Sequence, residues 1–350
     1  MTIGDYMDII VRMLESGISE LIEYMQEHVV TCLIPAFFIA GAIAVFVSKQ
    51  SVLKYFGAQA KRYVSYTIAS LSGCILAACS CTVIPLFAGI YRRGAGIGPA
   101  TAFLYSGPAI NVLAIVFTAR VLGFEIGVAR ALMAVTMAVA IGLVMAFLFG
   151  DGERKNVKIP EIFEDEGQSL KKSVFFVDLI LILVIGASKL EDIIKVPVLS
   201  VLIVILVLTV VKWQKREDTK MWVQETWSLT KMIFPYLIIG VFAAGVIKEV
   251  LPPEYVSRYV GGNSVSANFI ASLAGAFMYF ATLTEVPIVE SLMSLGMGKG
   301  PELALLLAGP ALSLPNMLAI RQVMGTKKTV TYIGLVVVFA TVSGIVYGGI

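Results

Sequence analysis

Residues 64–91 have the sequence VSYTIASLSGCILAACSCTVIPLFAGIY, which is 28 residues long and contains no charged side chain. A single straight helix of this length would measure about 42 Å, whereas the hydrocarbon core of a bilayer is about 30 Å thick. Small and polar residues interrupt the stretch at Cys79-Ser80-Cys81-Thr82, and Pro85 follows. The stretch therefore predicts either one long tilted span or a re-entrant hairpin, in which two half-helices meet at a polar tip.

The same pattern recurs 202 residues further along the chain. Residues 265–295 have the sequence VSANFIASLAGAFMYFATLTEVPIVESLMSL, in which the segment 282–285 and then Pro287 form the break. Further matches at this offset pair residues 68–73 with 270–275, Pro99 with Pro301, and residues 107–109 with 309–311. This colinear series predicts two transmembrane repeats, at 29–150 and 231–350, joined by a cytoplasmic loop and connecting helical hairpin at 151–230.

The composition is that of a membrane protein. Hydrophobic residues make up 58% of the 350 residues and charged residues only 15%, whereas about a quarter of a soluble domain is charged. Apolar stretches of 16 to 24 residues recur from Val29 onwards, and each has about the length that crosses a hydrocarbon core. We therefore expect an all-α polytopic protein of the plasma membrane, with the lipid bilayer and a small molecule as partners. It is expected to be a permease, not an enzyme, and to bind no nucleic acid.

The lysines and arginines distinguish between tilted spans and hairpins through the positive-inside rule. With eight full spans and two hairpins, 19 of the 27 basic residues fall in cytoplasmic loops and 8, including Arg130, fall outside. Ten full spans, the alternative, would place the basic loop at 321–328 outside. The hairpin model also predicts inverted repeats, because an odd number of crossings then separates matching elements. It places both termini outside.

The first 28 residues predict an amphipathic helix at the membrane surface. They contain six acidic residues and a single arginine, Arg12, so they do not resemble the basic start of a secretory signal peptide. Apolar residues recur through the segment at helical spacing, which gives one face for lipid and one for water.

The first tip offers two cysteines, Cys79 and Cys81. Thiolates are soft ligands that favour soft metals and metalloids, and a Cys-x-Cys pair in a non-helical turn presents two sulfurs to one atom. Cysteine is also a small apolar residue that packs well in a membrane interior. The residues leave both interpretations open.

The second tip offers a carboxylate, Glu285, with Thr282 and Thr284 beside it. A carboxylate at this depth is costly and indicates an ion or proton role. Glu285 is therefore predicted to be a coupling residue, protonated in one state and ionised in the other. A structural hydrogen bond to a neighbouring helix is the alternative.

A Gly-Pro pair and then an asparagine follow each hairpin, with Asn111 in the first repeat and Asn316 in the second. Proline frees a backbone carbonyl, and we expect the asparagine amides and Ser106 to line the same cavity as the tips. The predicted substrate site thus consists of Cys79, Ser80, Cys81, Thr82, Pro85, Ser106, Asn111, Thr282, Thr284, Glu285, Pro287 and Asn316. The prediction includes neither a metal nor a cofactor.

Residues 79–95, CSCTVIPLFAGIYRRGA, and 98–108, GPATAFLYSGP, resemble the predicted permease family that includes the organoarsenical efflux permeases. The resemblance covers nearly the whole chain. It implies extrusion of trivalent organoarsenicals such as methylarsenite, which bind thiols, with Cys79 and Cys81 as the corresponding thiols.

The chain lacks the phosphate-binding loop Gly-x-x-x-x-Gly-Lys-Ser/Thr, which favours secondary transport or energy from a separate subunit. The hypothesis is export of a small thiol-reactive or soft solute, driven by proton exchange through Glu285. A membrane thiol/disulfide redox protein and a passive channel for a small solute are the alternatives. Association into a homo-oligomer stays open.

Overall fold

The computed structural model describes residues 3–26, 29, 33–46, 61–75, 80–150, 166–187, 192–250, 259–278 and 285–350. Within these ranges the chain forms helices and no strand. The helices are α1 (Ile3–Tyr24), α2 (Ile34–Phe46), α3 (Arg62–Ile75), α4 (Ser80–Arg92), α5 (Ile97–Ala109), α6 (Val112–Val121), α7 (Phe124–Phe149), α8 (Glu166–Ala187), α9 (Asp192–Trp213), α10 (Arg216–Val250), α11 (Val265–Phe277), α12 (Glu285–Ser294), α13 (Lys299–Ala308), α14 (Leu314–Met324) and α15 (Thr326–Gly348).

Four helices in the described ranges are long and apolar enough to cross a bilayer: α7, α9, α10 and α15. Helices α5 and α6 together make a fifth such segment, which bends by 43° between them. The all-helical class and the presence of several spans are as predicted. The expected total of eight spans and two hairpins stays a prediction, because α2, α11 and the apolar part of α8 are each too short to be recognised as spans by length.

Both predicted breaks separate two helices. Helix α3 ends at Ile75 and α4 begins at Ser80, while α11 ends at Phe277 and α12 begins at Glu285. Pro287 lies in the first turn of α12, where the missing N–H of proline costs no helical hydrogen bond. The tips, residues 76–79 and 279–284, lie outside the described residues.

The offset of 202 found in the sequence also relates the helices. Helices α5, α6 and α7 begin at residues 97, 112 and 124, and α13, α14 and α15 begin at 299, 314 and 326. Gly94 and Gly296, which end the turns before α5 and α13, have φ values of 98° and 99°. In both turns the residue after this glycine donates to a carbonyl five residues earlier, over 3.1 and 3.0 Å, which is the Schellman arrangement.

Two equivalent pairs of glycines allow close contacts between helices. A Cβ added to Gly98 of α5 would lie 2.8 Å from the carbonyl oxygen of Gly142 in α7, and one on Gly142 would lie 2.7 Å from that of Gly98. The corresponding distances for Gly300 of α13 and Gly344 of α15 are 2.7 and 2.6 Å. These helices therefore touch backbone to backbone, as small residues permit in membranes.

Helices α3 and α4 run in opposite directions along α5. The hydroxyl of Tyr66 in α3 reaches the start of α5, and Ser106, near the end of α5, donates to the carbonyl of Ala69 further along α3 (3.1 Å). In contrast, Val83 in the first turn of α4 contacts Gly107 near the end of α5, and α4 finishes in the turn that precedes α5.

The two halves meet through equivalent pairs of helices. Helix α6 packs against α12, and α4 packs against α14 in the corresponding place. Helices α7 and α15, and α5 and α13, which correspond to each other, are also in contact. The contacts between the halves therefore include α4 and α12, the helices that follow the two breaks in the sequence.

Helix α1 covers most of the segment predicted to be amphipathic. One face packs on α10, where Ser16 Oγ donates to the carbonyl of Gly245 (2.9 Å). Apolar side chains on the other side, including Leu14, Ile18 and Ile22, are about half exposed. Its position at a membrane surface stays a prediction.

Candidate functional site

A buried ion pair joins the two halves. Arg130 in the second turn of α7 donates from Nη2 to Oε1 of Glu285 at the start of α12, over 2.5 Å. The exposed fractions of the two side chains are 0% and 1%. Removal of charges from water costs several kcal/mol per ion, so neither charge is expected in this position without its partner.

Thr118 of α6 fixes the orientation of the arginine. Its hydroxyl donates to the carbonyl of Ala114 over 2.7 Å, which leaves an oxygen lone pair to accept from Arg130 Nη1 over 2.8 Å. The threonine side chain is fully buried. Three helices, α6, α7 and α12, thus supply one charged cluster.

Several polar atoms of this region lack a hydrogen-bond partner within the described structure. They are Arg130 Nε, Glu285 Oε2 and the hydroxyl of Tyr332. Tyr105 lies within electrostatic range of both Arg130 and Tyr332, and its own hydroxyl contacts the carbonyl of Leu307 over 3.3 Å. Most buried polar atoms in folded proteins are hydrogen-bonded. The atoms of Arg130, Glu285 and Tyr332 named above are therefore open positions for a hydrogen bond to another group.

The structure places the predicted site residues unevenly. Thr82, Pro85, Ser106, Asn111, Glu285 and Asn316 are buried, while Pro287 is exposed. Ser106 bonds to Ala69 and so ties α5 to α3. Cys79, Thr282 and Thr284 lie outside the described residues, as do the side chains of Ser80 and Cys81. The predicted role of the cysteines is therefore not tested, whereas Glu285 has a partner in the other half.

The sequence interpretation missed Arg130. It counted this residue among the outside charges, before a span expected to begin at residue 131, whereas α7 begins at Phe124 and contains Arg130. A signal was present, because residues 126–149 contain no other charged residue. A lone arginine in a long apolar segment indicates a functional partner nearby. Within the described ranges no three His, Cys, Asp or Glu side chains are grouped for metal binding.

Comparisons with known proteins assign the chain to a class. A family model described as "Predicted permease" (ArsP_1) matches residues 16–349. The UPF0718 protein MJ0584 of Methanocaldococcus jannaschii is 48% identical, with 98% of each chain covered. The UPF0718 protein YraQ of Escherichia coli is 24% identical over 81% of this chain and 66% of its own. No solved structure matches.

Proposed function

The chain belongs to this family of predicted permeases, and we propose that it is a secondary-active exporter with its substrate site between two broken-helix hairpins near the membrane midplane. Its several long apolar helices are those of a membrane protein. The observation that carries the proposal is the buried ion pair of Arg130 and Glu285, which joins the two halves. Sites of this kind lie between repeats in other secondary transporters.

Contacts at the ends of α7 and α15 support an inverted arrangement of the repeats. Lys328 at the start of α15 bonds to Tyr91 at the end of α4 over 2.6 Å. That end of α4 adjoins the start of α5. The contact between Gly98 and Gly142 places the C-terminal part of α7 beside the start of α5. At the opposite end, Tyr347 of α15 lies within electrostatic range of Glu125 at the start of α7. Corresponding helices that run in opposite directions are expected of an inverted repeat.

The helix directions around each break support hairpins over full spans. In the first half α3 and α4 run in opposite directions along α5. In the second half Asn268 of α11 contacts Gly300 near the start of α13, and Gly275 contacts Gly309 just after its end, while α12 finishes in the turn before α13. Two antiparallel half-helices that share one neighbour would enter and leave the membrane on the same side. This arrangement supports the proposal of eight spans and two hairpins, and the distribution of basic residues supports termini that both lie outside.

Glu285 is the coupling carboxylate of the proposal. In its ionised form it pairs with Arg130, and protonation removes the charge that holds α12 to α7. Such a pair is strong in a medium of low dielectric constant, so its formation and loss can favour different arrangements of the two halves. Protonation and deprotonation of Glu285 would then be coupled to movement of the cargo.

The proposed cargo is a small thiol-reactive or soft solute, with trivalent organoarsenicals as the class to test first. Cys79 directly precedes α4 and Cys81 lies in its first turn. Thiolates bind soft metalloids such as trivalent arsenic. The family resemblance supports the same class of cargo.

The test uses an arsenic-sensitive host that expresses the chain and is exposed to methylarsenite. Export predicts protected growth and a lower cellular arsenic content. Substitution Glu285→Gln should abolish the protection without loss of membrane expression, and Cys79→Ser with Cys81→Ser should do the same if the thiols bind the cargo. Unchanged arsenic content in cells with well-expressed protein would contradict the arsenical proposal.

A further inference from the structure

The charged cluster occupies only one of two equivalent places in the molecule. At the offset of 202, Arg130 corresponds to Tyr332, Thr118 to Ile320, and Glu285 to Val83. All six side chains are buried, with exposed fractions of at most 1%. The helices that carry them also correspond: α7, α6 and α12 in the first place are equivalent to α15, α14 and α4 in the second.

The second place shows that the corresponding helices of this fold pack together without a charged side chain. The second place is filled by one phenol, Tyr332, and two aliphatic side chains, Ile320 and Val83. The helices that pack there are the ones that correspond to those of the first place. An apolar set is also commonly at least as stable as a buried ion pair. The charges in the first place therefore call for an explanation other than helix packing.

The arginine is only partly used by its described partners. A guanidinium carries five N–H donors. Those of Nη1 and Nη2 reach Thr118 and one oxygen of Glu285, while Nε has no partner. The second carboxylate oxygen of Glu285 and the hydroxyl of Tyr332 also have no hydrogen-bond partner in the part of the chain that the structure describes. The contact is thus a one-oxygen pair, although arginine favours a two-oxygen fork with carboxylates and other oxyanions.

We propose that Arg130 binds the anionic group of the cargo in exchange for the carboxylate of Glu285. The cargo is then a small solute that carries one negative charge, such as an organoarsenical with a carboxylate group, and it binds together with one proton. Glu285 takes up the proton and becomes neutral, the anion takes its place on the guanidinium, and the net charge of the cluster does not change. Thr118 accepts from the arginine in both states and keeps it oriented.

The surroundings of Glu285 fit this exchange. Arg130 on α7 is its charged neighbour and Thr118 on α6 is neutral. The phenol of Tyr105 on α5 lies within electrostatic range of Arg130, and that of Tyr332 on α15 lies within electrostatic range of Tyr105. No second carboxylate of the described residues is paired with Arg130. One proton on Glu285 therefore suffices to free the arginine.

The inference rests on the proposed transport function but is independent of the cysteines. It is tested with purified, detergent-solubilised protein in a weakly buffered solution, to which acetate, nitrate, methanesulfonate or 4-carboxyphenylarsenite is added. Acetamide and phenylarsenite serve as the uncharged counterparts of two of these probes. The readout is the uptake of protons by the protein as the probe concentration rises.

At least one anion should give saturable uptake that approaches one proton per chain, and the uncharged counterparts should give none. Arg130→Gln and Glu285→Gln should each abolish the uptake. Arg92→Gln, at the partly exposed ion pair with Glu225, should leave it unchanged. The double variant Arg130→Gln/Glu285→Gln buries no unpaired charge, so it provides a folded protein that should also show no uptake.

The absence of saturable uptake with every anion, or its persistence in Arg130→Gln, would overturn the inference. This result is distinguishable from failure of the proposed function. If cells still export methylarsenite while no anion causes proton uptake, transport stands and the anionic cargo falls. If neither activity is seen, the exporter proposal fails as well.

Discussion

Arg130 and Tyr332 occupy equivalent positions in the two halves of the chain, 202 residues apart, and both side chains are fully buried. The first forms an ion pair across the interface with Glu285, whereas the hydroxyl of the second has no hydrogen-bond partner within the described structure. One half of a duplicated fold thus carries a charge that the other half lacks. This difference is the basis for assigning the transport chemistry to the cluster around Arg130.

Loss of one member of the pair should be more harmful than loss of both. Arg130→Gln or Glu285→Gln alone leaves a buried charge without its partner, which should lower the free energy of unfolding by about 3–5 kcal/mol. The double variant should lose clearly less than the sum of the two. Denaturation of the purified variants in the same detergent measures this coupling, and additive losses would show that the two residues do not interact.

The contact between α13 and α15 should be intolerant of a methyl group. Gly344→Ala would place a Cβ 2.6 Å from the carbonyl oxygen of Gly300, so the helices must separate, at a cost of about 1–3 kcal/mol. Gly334 lies on the same helix with no atom within 4 Å of such a Cβ, so Gly334→Ala is the matched control. It should be neutral or slightly stabilising. Thermal unfolding of the two variants tests the contact, and equal stability would contradict it.

The turns at Gly94 and Gly296 should require glycine for their backbone conformation. Their φ values of 98° and 99° disfavour a side chain, so alanine at either position should lower stability by about 1–2 kcal/mol. A Cβ at Gly296 would meet no atom within 4 Å, so the loss there would not arise from a clash. Gly296→Asn should be milder, because asparagine tolerates this region better. Equal effects of alanine and asparagine would argue against the conformational cause.

An inverted arrangement predicts which loops share a side of the membrane. Arg92 and Lys327 should lie on the cytoplasmic side, and Phe124 and Ser294 on the outside. All four side chains are exposed. Each is replaced by cysteine and treated in intact cells with an impermeant thiol reagent, and mass spectrometry locates the modification. Modification of Phe124→Cys and Ser294→Cys alone would agree with the arrangement, whereas modification of Ser294→Cys together with Lys327→Cys would contradict it.

The sequence predicts much of this fold because the glycines and prolines of its turns recur at a constant offset in the two halves. Pro99 and Pro301, at the offset of 202, lie in the first turns of α5 and α13, which begin at equivalent residues. Glycine and proline favour particular backbone geometries, so helices that follow equivalent glycines and prolines begin at equivalent residues. Glu285 was found for a similar reason, since an acid within an apolar segment stands out by itself.

The remainder of the site depends on contacts between distant segments. Arg130 lies 155 residues from Glu285 in the chain, and at the edge of a predicted span it has the appearance of a loop charge. Thr118 becomes significant only when α6 is seen beside α7. Pro287, predicted to line the site, is exposed. It lies in the first turn of α12, where proline is compatible with the start of a helix. Local sequence does not determine such pairings.

The central claim is that the cluster around Arg130 lies on the transport route and is not part of a static core. The most direct test is reaction of Thr118→Cys with an impermeant, negatively charged methanethiosulfonate, applied to intact cells and to inverted vesicles. Mass spectrometry then quantifies modification at residue 118, with the equivalent position, Ile320→Cys, as the control for depth. The account predicts modification from at least one side, and faster modification when Glu285→Gln breaks the ion pair. No modification from either side, with or without Glu285→Gln, would contradict it.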